Sequence, residues 1–185
     1  MTIRPTELTE VLLVEPKVFG DDRGFFFECY KADRYVAVGI ACEFVQDNVS
    51  YSKAGVIRGL HYQWPNPQAK LIQVLSGAVF DVAVDIRRGS PTYGKWIGEV
   101  LSAENHHQLF IPPGFAHGFA VLGDHALVSY KCSTLYEAAG DCSVRWNDPE
   151  IGVEWPISEP MLSGKDAAAL KLADISPERL PRINS

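Results

Sequence analysis

His61 follows Arg58 closely and precedes Lys70, which opens the apolar run Lys70-Leu-Ile-Gln-Val-Leu75. An imidazole with an ordinary pKa of about 6.5 is the side chain best suited to take a proton near neutral pH. An ammonium on the wall of a dry cavity stabilises negative charge that develops on an oxygen. Tyr130, in Leu127-Val-Ser-Tyr-Lys131, adds a phenol that can give a proton. Taken singly, each has a plainer reading. Lys70 is a surface lysine at a strand end, Tyr130 a core aromatic, and His61 and His117 hydrogen-bonded core histidines. His106, His107 and His125 follow Asn, Asp and Gly in turns and read as surface-loop residues. The segment Gly20-Asp-Asp-Arg-Gly24 reads as a turn with solvated charges, whereas Gln46-Asp-Asn48 is either an edge strand or a row of amides facing a ligand.

Two segments, Gly59-Leu-His61-Tyr-Gln63 and Pro112-Pro-Gly-Phe-Ala-His117, resemble the paired half-motifs of a cupin barrel, each aiming a histidine inward. A metal-binding cupin converges three or four imidazole and carboxylate donors on the ion. Here Gln63 stands where a second histidine is needed, and Trp64-Pro-Asn-Pro-Gln-Ala69 has no carboxylate. His61 and His117 make two ligands at most, so no metal is expected.

The elements that must hold these groups are mostly strands. Runs rich in Val, Ile, Phe and Tyr occupy 12–19, 25–30, 44–51, 56–63, 70–75, 78–86, 95–101, 108–111, 118–121 and 126–132, separated by Gly, Pro, Asp and Asn. Ser76-Gly77 predicts a tight hairpin between two of them. Beyond it, Phe80, Val82, Val84 and Ile86 share one face, and Asp81 and Asp85 the other. Helix is expected only at 32–38 and 166–172, and 155–160 reads as an extended strap. At 185 residues the chain predicts one domain, 1–185, and so many antiparallel strands predict an all-β, double-sheet jelly roll with short peripheral helices. Hydrophobic residues at 46% with 22% charged residues exclude a disordered chain, and a formal charge of −6 argues against a nucleic-acid partner. Scattered Cys29, Cys42, Cys132 and Cys142, with no signal segment or membrane span, predict free thiols and a cytoplasmic protein.

Ten segments in this order resemble the dTDP-4-dehydrorhamnose 3,5-epimerases. They are Asp22-Arg-Gly-Phe-Phe-Phe-Glu28, Phe44-Val-Gln-Asp-Asn-Val-Ser50, Gly55-Val-Ile-Arg-Gly-Leu-His-Tyr-Gln63, Gln68-Ala-Lys-Leu71, Asp81-Val-Ala-Val-Asp85, Ser90-Pro-Thr-Tyr-Gly94, Ile111-Pro-Pro-Gly-Phe-Ala-His-Gly-Phe119, Tyr130-Lys-Cys132, Trp146-Asn-Asp-Pro149 and Leu162-Ser-Gly-Lys-Asp166. The resemblance implies a cupin-like homodimer that needs neither cofactor nor metal and converts dTDP-4-dehydro-6-deoxy-D-glucose to dTDP-4-dehydro-β-L-rhamnose. It makes His61 the base, Asp166 its carboxylate partner, Lys70 the enolate stabiliser and Tyr130 the proton donor on the other face. It places Arg23, Glu28, Gln46, Asp47, Asn48, Arg58, His117 and Lys165 against nucleotide and sugar, with Tyr136 stacking on the base.

Departures from the family pattern fall between Ser133 and Ser143. Leu135 replaces a second tyrosine, and Asp141 stands where a glutamate is usual, which implies a looser or water-bridged nucleotide contact. Three alternatives to double epimerisation are a single-position epimerase at C3 or C5, a metal-dependent cupin, and a non-catalytic sugar-nucleotide binding module.

Overall fold

A computed structural model describes residues 1–183. Among the described residues, eleven strands and two short α-helices follow one another. They are β1 (Thr2–Pro5), β2 (Leu12–Glu15), β3 (Val18–Asp21), β4 (Gly24–Phe27), α1 (Ala32–Val36), β5 (Gln46–Lys53), β6 (Ile57–Gln63), β7 (Lys70–Asp85), β8 (Trp96–Ser102), β9 (Gln108–Ile111), β10 (Phe115–Cys132), β11 (Asp141–Ser143) and α2 (Gly164–Ala167).

The architecture turns on two long strands. β7 and β10 pair antiparallel from Lys70↔Cys132 to Asp85↔Phe115, and each changes its outer neighbour part-way along. The first half of β7 pairs with β9 and the second with β8. β10 pairs with β6 through its first half and with β5 through its second. With β2 and β1 beyond β9, and β11 beyond β6, this gives two layers, β1-β2-β9-β7-β10-β5 and β8-β7-β10-β6-β11. The result is a cupin-like jelly roll with antiparallel layers. β3 and β4 form a separate hairpin.

The expected hairpin at Ser76-Gly77 is absent, because β7 continues through it, and the runs 118–121 and 126–132 are likewise one strand. Gly77 has φ +74°, and a Cβ there would lie 1.9 Å from the carbonyl oxygen of His125. Glycine is needed for a bend and close backbone approach, opposite the register shift between Leu122 and Ala126 of β10. The helix expected at 166–172 shrinks to the single turn of α2, since Leu170 bridges to Val144 in extended conformation.

Period-two alternation sorts the faces. Ile72, Val74, Val79, Ala83, Leu109, Ile111, Phe119 and Val128 meet in the core between the layers. Val82, Val84 and Ile86 point the other way, where Ile151, Leu172, Ile175 and Leu180 of the C-terminal segment cover them. Tyr35 of α1 and Ile40 cover the outer face of the other layer over Val14, Leu71 and Phe110. The four cysteines are free thiols. Among the described residues no helix is long and apolar enough to cross a membrane.

Candidate active site

One end of the space between the layers is a cavity of about 470 Å³. Because inward positions recur every second residue, β5 contributes Gln46, Asn48 and Ser50, β6 contributes His61 and Gln63, and β10 contributes His117, Phe119, Tyr130 and Cys132. Tyr62, Lys70, Arg58, Gln68, Tyr136, Asp141 and Lys165 complete the wall.

His61 is brought to the cavity by a close crossing of backbones. Gly59 has φ +128°, and a Cβ there would lie 2.5 Å from Gly118 Cα, so β6 and β10 approach at a separation only glycine allows. His61 then sits directly across the ladder from His117. Its Nε2 lies 2.5 Å from Oδ1 of Asp166, 105 residues further along the chain. Asp166 is delivered by α2, whose first turn is capped by the Ser163 hydroxyl accepting from Asp166 N. The bridges Val56↔Met161 and Val144↔Leu170 hold that segment on both sides. Burial alone would raise the Asp166 pKa, but hydrogen bonds from His61, Ser163 and the Gly59 backbone hold the carboxyl below its usual range.

A second imidazole–carboxylate pair faces the same cavity. His117 Nε2 lies 3.0 Å from both oxygens of Asp81, and both residues are buried. Burial pushes His117 down in spite of Asp81, so the ring is neutral at neutral pH. Lys70, opposite Cys132 in the ladder, is also held below the usual lysine range by burial. Burial raises the Tyr130 phenol, keeping it protonated. The cavity therefore presents an imidazole backed by a carboxylate, a buried lysine amine and a proton-bearing phenol.

The remaining groups define the mouth. Arg58 donates from Nε to the Ser52 hydroxyl at 2.8 Å and from Nη2 to the Tyr51 carbonyl at 3.1 Å. Tyr136 is exposed, its backbone N–H donating to Gln46 Oε1 at 2.8 Å. Asp141 pairs with Lys165 at 2.5 Å and accepts from the Tyr136 hydroxyl at 3.4 Å. Gln63 is a loop anchor, donating to Asn66 O and accepting from Glu137 N. Nε2 of both His61 and His117 is engaged by a carboxylate, and no cluster of three or more metal-ligating side chains occurs among the described residues.

Three expected contacts lie elsewhere. Arg23 sits on the β3–β4 turn, paired with Asp21 and exposed, and Glu28 pairs with Arg34 at 3.1 Å. Asp47 alternates to the opposite face of β5 from Gln46 and Asn48 and pairs with Lys131 at 3.0 Å. Ser50, Tyr62, Gln68, Phe119 and Cys132 line the cavity without having been singled out, and Asp81 backs His117. The alternation that put Asp81 on the face opposite Val82 was the available signal.

A jelly roll with this set of groups between its layers is a cupin-like acid–base enzyme. The chain belongs to the dTDP-4-dehydrorhamnose 3,5-epimerase family, whose model matches residues 5–174. A dTDP-4-dehydrorhamnose 3,5-epimerase of Shigella flexneri is 52% identical over 176 residues, covering 94% of this chain and 97% of that one. Its counterpart in Salmonella typhimurium is 53% identical over 172 residues, 91% and 94% of the two chains. A solved epimerase from Legionella pneumophila, in complex with dTDP-4-keto-L-rhamnose, is 50% identical and superposes with a TM-score of 0.97 over 100% of this chain and 99% of that one.

Proposed function

We propose that this cavity binds dTDP-4-dehydro-6-deoxy-D-glucose and inverts it at C3 and C5 to give dTDP-4-dehydro-β-L-rhamnose. The observation that carries the reading is the His61–Asp166 pair, 2.5 Å apart, in one cavity with Lys70 and Tyr130. The C4 ketone acidifies the hydrogens on C3 and C5. His61 removes one of them and the electron pair of the C–H bond moves into an enolate, whose oxygen is stabilised by the Lys70 ammonium. Asp166 orients the imidazole and stabilises its charged form. Tyr130 returns a proton to the carbon from the other face and becomes a phenolate. Exchange with solvent then resets both residues, and the cycle repeats at the second carbon. No cofactor enters this scheme.

Gln46, Asn48, Arg58, His117 and Lys165 serve sugar and nucleotide in this reading, guanidinium and ammonium taking the diphosphate, with Tyr136 stacking on thymine. Asp141, one methylene shorter than glutamate, shares Lys165 with the diphosphate. Arg23, Glu28 and Asp47 do not line the chain's own cavity, and a homodimer accounts for Arg23 and Glu28. Their hairpin exposes Phe19, Phe25 and Phe26, and β5 exposes Val49 and Tyr51. Such apolar surface marks a protein interface, across which Arg23 can reach the partner's ligand. Free thiols and a sugar-nucleotide substrate suit the cytoplasm.

The test is incubation with dTDP-4-dehydro-6-deoxy-D-glucose in heavy water, following deuterium at C3 and C5 by NMR. Label at both carbons, abolished by His61→Ala, is expected. Label at one carbon makes it a single-position epimerase, and none with tight dTDP binding leaves a binding module.

A further inference from the structure

Ser50 lines the cavity, and its Oγ is the one buried side-chain nitrogen or oxygen among the described residues that has no hydrogen-bond partner in the protein. A covered hydroxyl that forgoes hydrogen bonding costs free energy, so such a group at a cavity wall points to a partner that arrives with a ligand.

The row to which Ser50 belongs sharpens the exception. Gln46, Asn48, Ser50 and Ser52 share the inward face of β5, while Asp47, Val49 and Tyr51 are exposed on the other. Gln46 donates from Nε2 to Asn48 Oδ1 at 3.0 Å, and Asn48 donates to Cys132 Sγ at 3.6 Å. The Ser52 hydroxyl accepts from Arg58 Nε at 2.8 Å. Ser50 stands between these groups and shares in none of their bonds. Across the ladder it faces Val128, a buried side chain that can offer no hydrogen bond. The next inward pair is Asn48↔Tyr130, which puts Ser50 on the diagonal from the phenol, roughly 7–8 Å away by ladder geometry. Because the hydroxyl holds nothing, turning it about χ1 breaks no hydrogen bond.

We propose that Ser50 is a specificity-determining residue of this cavity, its hydroxyl pairing with a hydroxyl of the bound hexose on the Tyr130 side. This inference rests on the reading of the cavity as a sugar-nucleotide site. An alcohol of the sugar both donates and accepts, as a serine hydroxyl does, whereas a diphosphate only accepts and has Arg58 and Lys165 at hand. The thymine end lies at Tyr136, whose backbone docks on Gln46, four residues back along β5 and roughly 13 Å from Ser50 at the rise of an extended strand.

Ser50→Ala removes the hydroxyl and little else. In the free protein that hydroxyl has no partner to lose, so the variant is expected to denature at the same point as wild type or slightly above it. A clear drop in stability shows that the hydroxyl is satisfied within the protein and overturns the proposal. Calorimetric affinity for dTDP is expected to stay within about twofold, while affinity for dTDP-6-deoxy-D-glucose, which has the sugar hydroxyls and cannot be enolised, falls roughly three- to tenfold. Equal losses for the two ligands assign the hydroxyl to the diphosphate, and no loss for either leaves it without a ligand. Both results overturn the proposal. Deuterium wash-in at C3 and C5 by the wild type is run alongside, so that failure of the epimerase reading is seen separately from failure of the Ser50 contact.

Discussion

Asp166→Asn probes the base with little change in volume. Asp166 is 2% exposed, and its Oδ1 lies 2.5 Å from His61 Nε2; in the proposed scheme the carboxylate accepts from Nε2–H and leaves the Nδ1 lone pair as the base. Asparagine has two effects. It removes a charge-assisted hydrogen bond worth about 1.5–3 kcal/mol, which is roughly ten- to 150-fold in rate once imidazolium forms. It can also donate its NH2 to Nε2, trapping the Nδ1–H tautomer, which has no lone pair on that nitrogen. General-base catalysis contributes about 10²- to 10⁴-fold, and that is the expected loss in kcat. dTDP affinity stays within about threefold, since the carboxylate is covered by the imidazole. The assay is deuterium wash-in at C3 and C5, with dTDP binding by calorimetry. Stability gives a second readout. The folded pKa of Asp166 lies below its ordinary 3.8, so as pH falls the unfolded chain takes up the proton first. The carboxylate's stabilisation is complete above that ordinary value and is lost as pH falls through the folded one. The asparagine variant therefore melts with a flatter acid dependence as pH falls through and below the ordinary carboxyl value of 3.8. Wash-in within fivefold of wild type, in a folded variant, would refute the dyad.

Tyr130→Phe is expected to uncouple exchange from inversion: deuterium still enters, while conversion to the rhamno product, followed by NMR, falls about 10²-fold or more. Lys70→Gln loses the enolate's counter-charge and is expected to lower kcat about 10²- to 10³-fold. In the wild type, activity falls as pH rises through the depressed Lys70 pKa, so the alkaline limb lies below the ordinary 10.5, as a pH–rate profile reads directly. Arg23→Ala removes an exposed side chain whose partner is its neighbour Asp21, so chemical denaturation should move by less than about 0.5 kcal/mol while KM rises. Gly77→Ala places a Cβ against the His125 carbonyl at positive φ and should cost at least about 2 kcal/mol on denaturation, because both long strands bend there.

Much of the site was legible because strand alternation is a local property. Gln46 and Asn48, His61 and Gln63, and Phe80, Val82 and Val84 each fall on the faces that period two assigns. The same rule makes Asp47 an outward residue, a consequence that a motif read as a block conceals. The bend at Gly77 was misread because a glycine after serine serves a hairpin and a close backbone approach equally, and only the partner strand distinguishes them. α2 was overextended because Ala and Leu favour helix locally, while the bridge from Leu170 to Val144 is a tertiary contact. The His61–Asp166 pair spans 105 residues and has no local signature; only the family resemblance pointed to it. Asp81 lay in plain view on the correct face, but nothing in its own strand marks the histidine across the ladder that it holds.

The layered architecture has a stereochemical consequence. His61 stands on β6, which belongs to one layer, whereas Tyr130 stands on the half of β10 that pairs with β5, in the other. In the proposed scheme a flat enolate held between them meets base on one side and acid on the other, which is the condition for inversion instead of return. Lys70 opens the half of β7 that pairs with β9, in the same layer as Tyr130 and opposite Cys132 of β10. Lys70 and Tyr130, to which the proposed scheme gives the enolate oxygen and the returning proton, are therefore fixed to adjacent strands, so their separation is set by the ladder. Asp166 approaches His61 from the C-terminal segment, so a displacement of that segment is expected to loosen the His61–Asp166 pair without moving Tyr130. Disorder introduced at Ser163 or Met161 should accordingly slow proton removal while leaving the Tyr130 face intact.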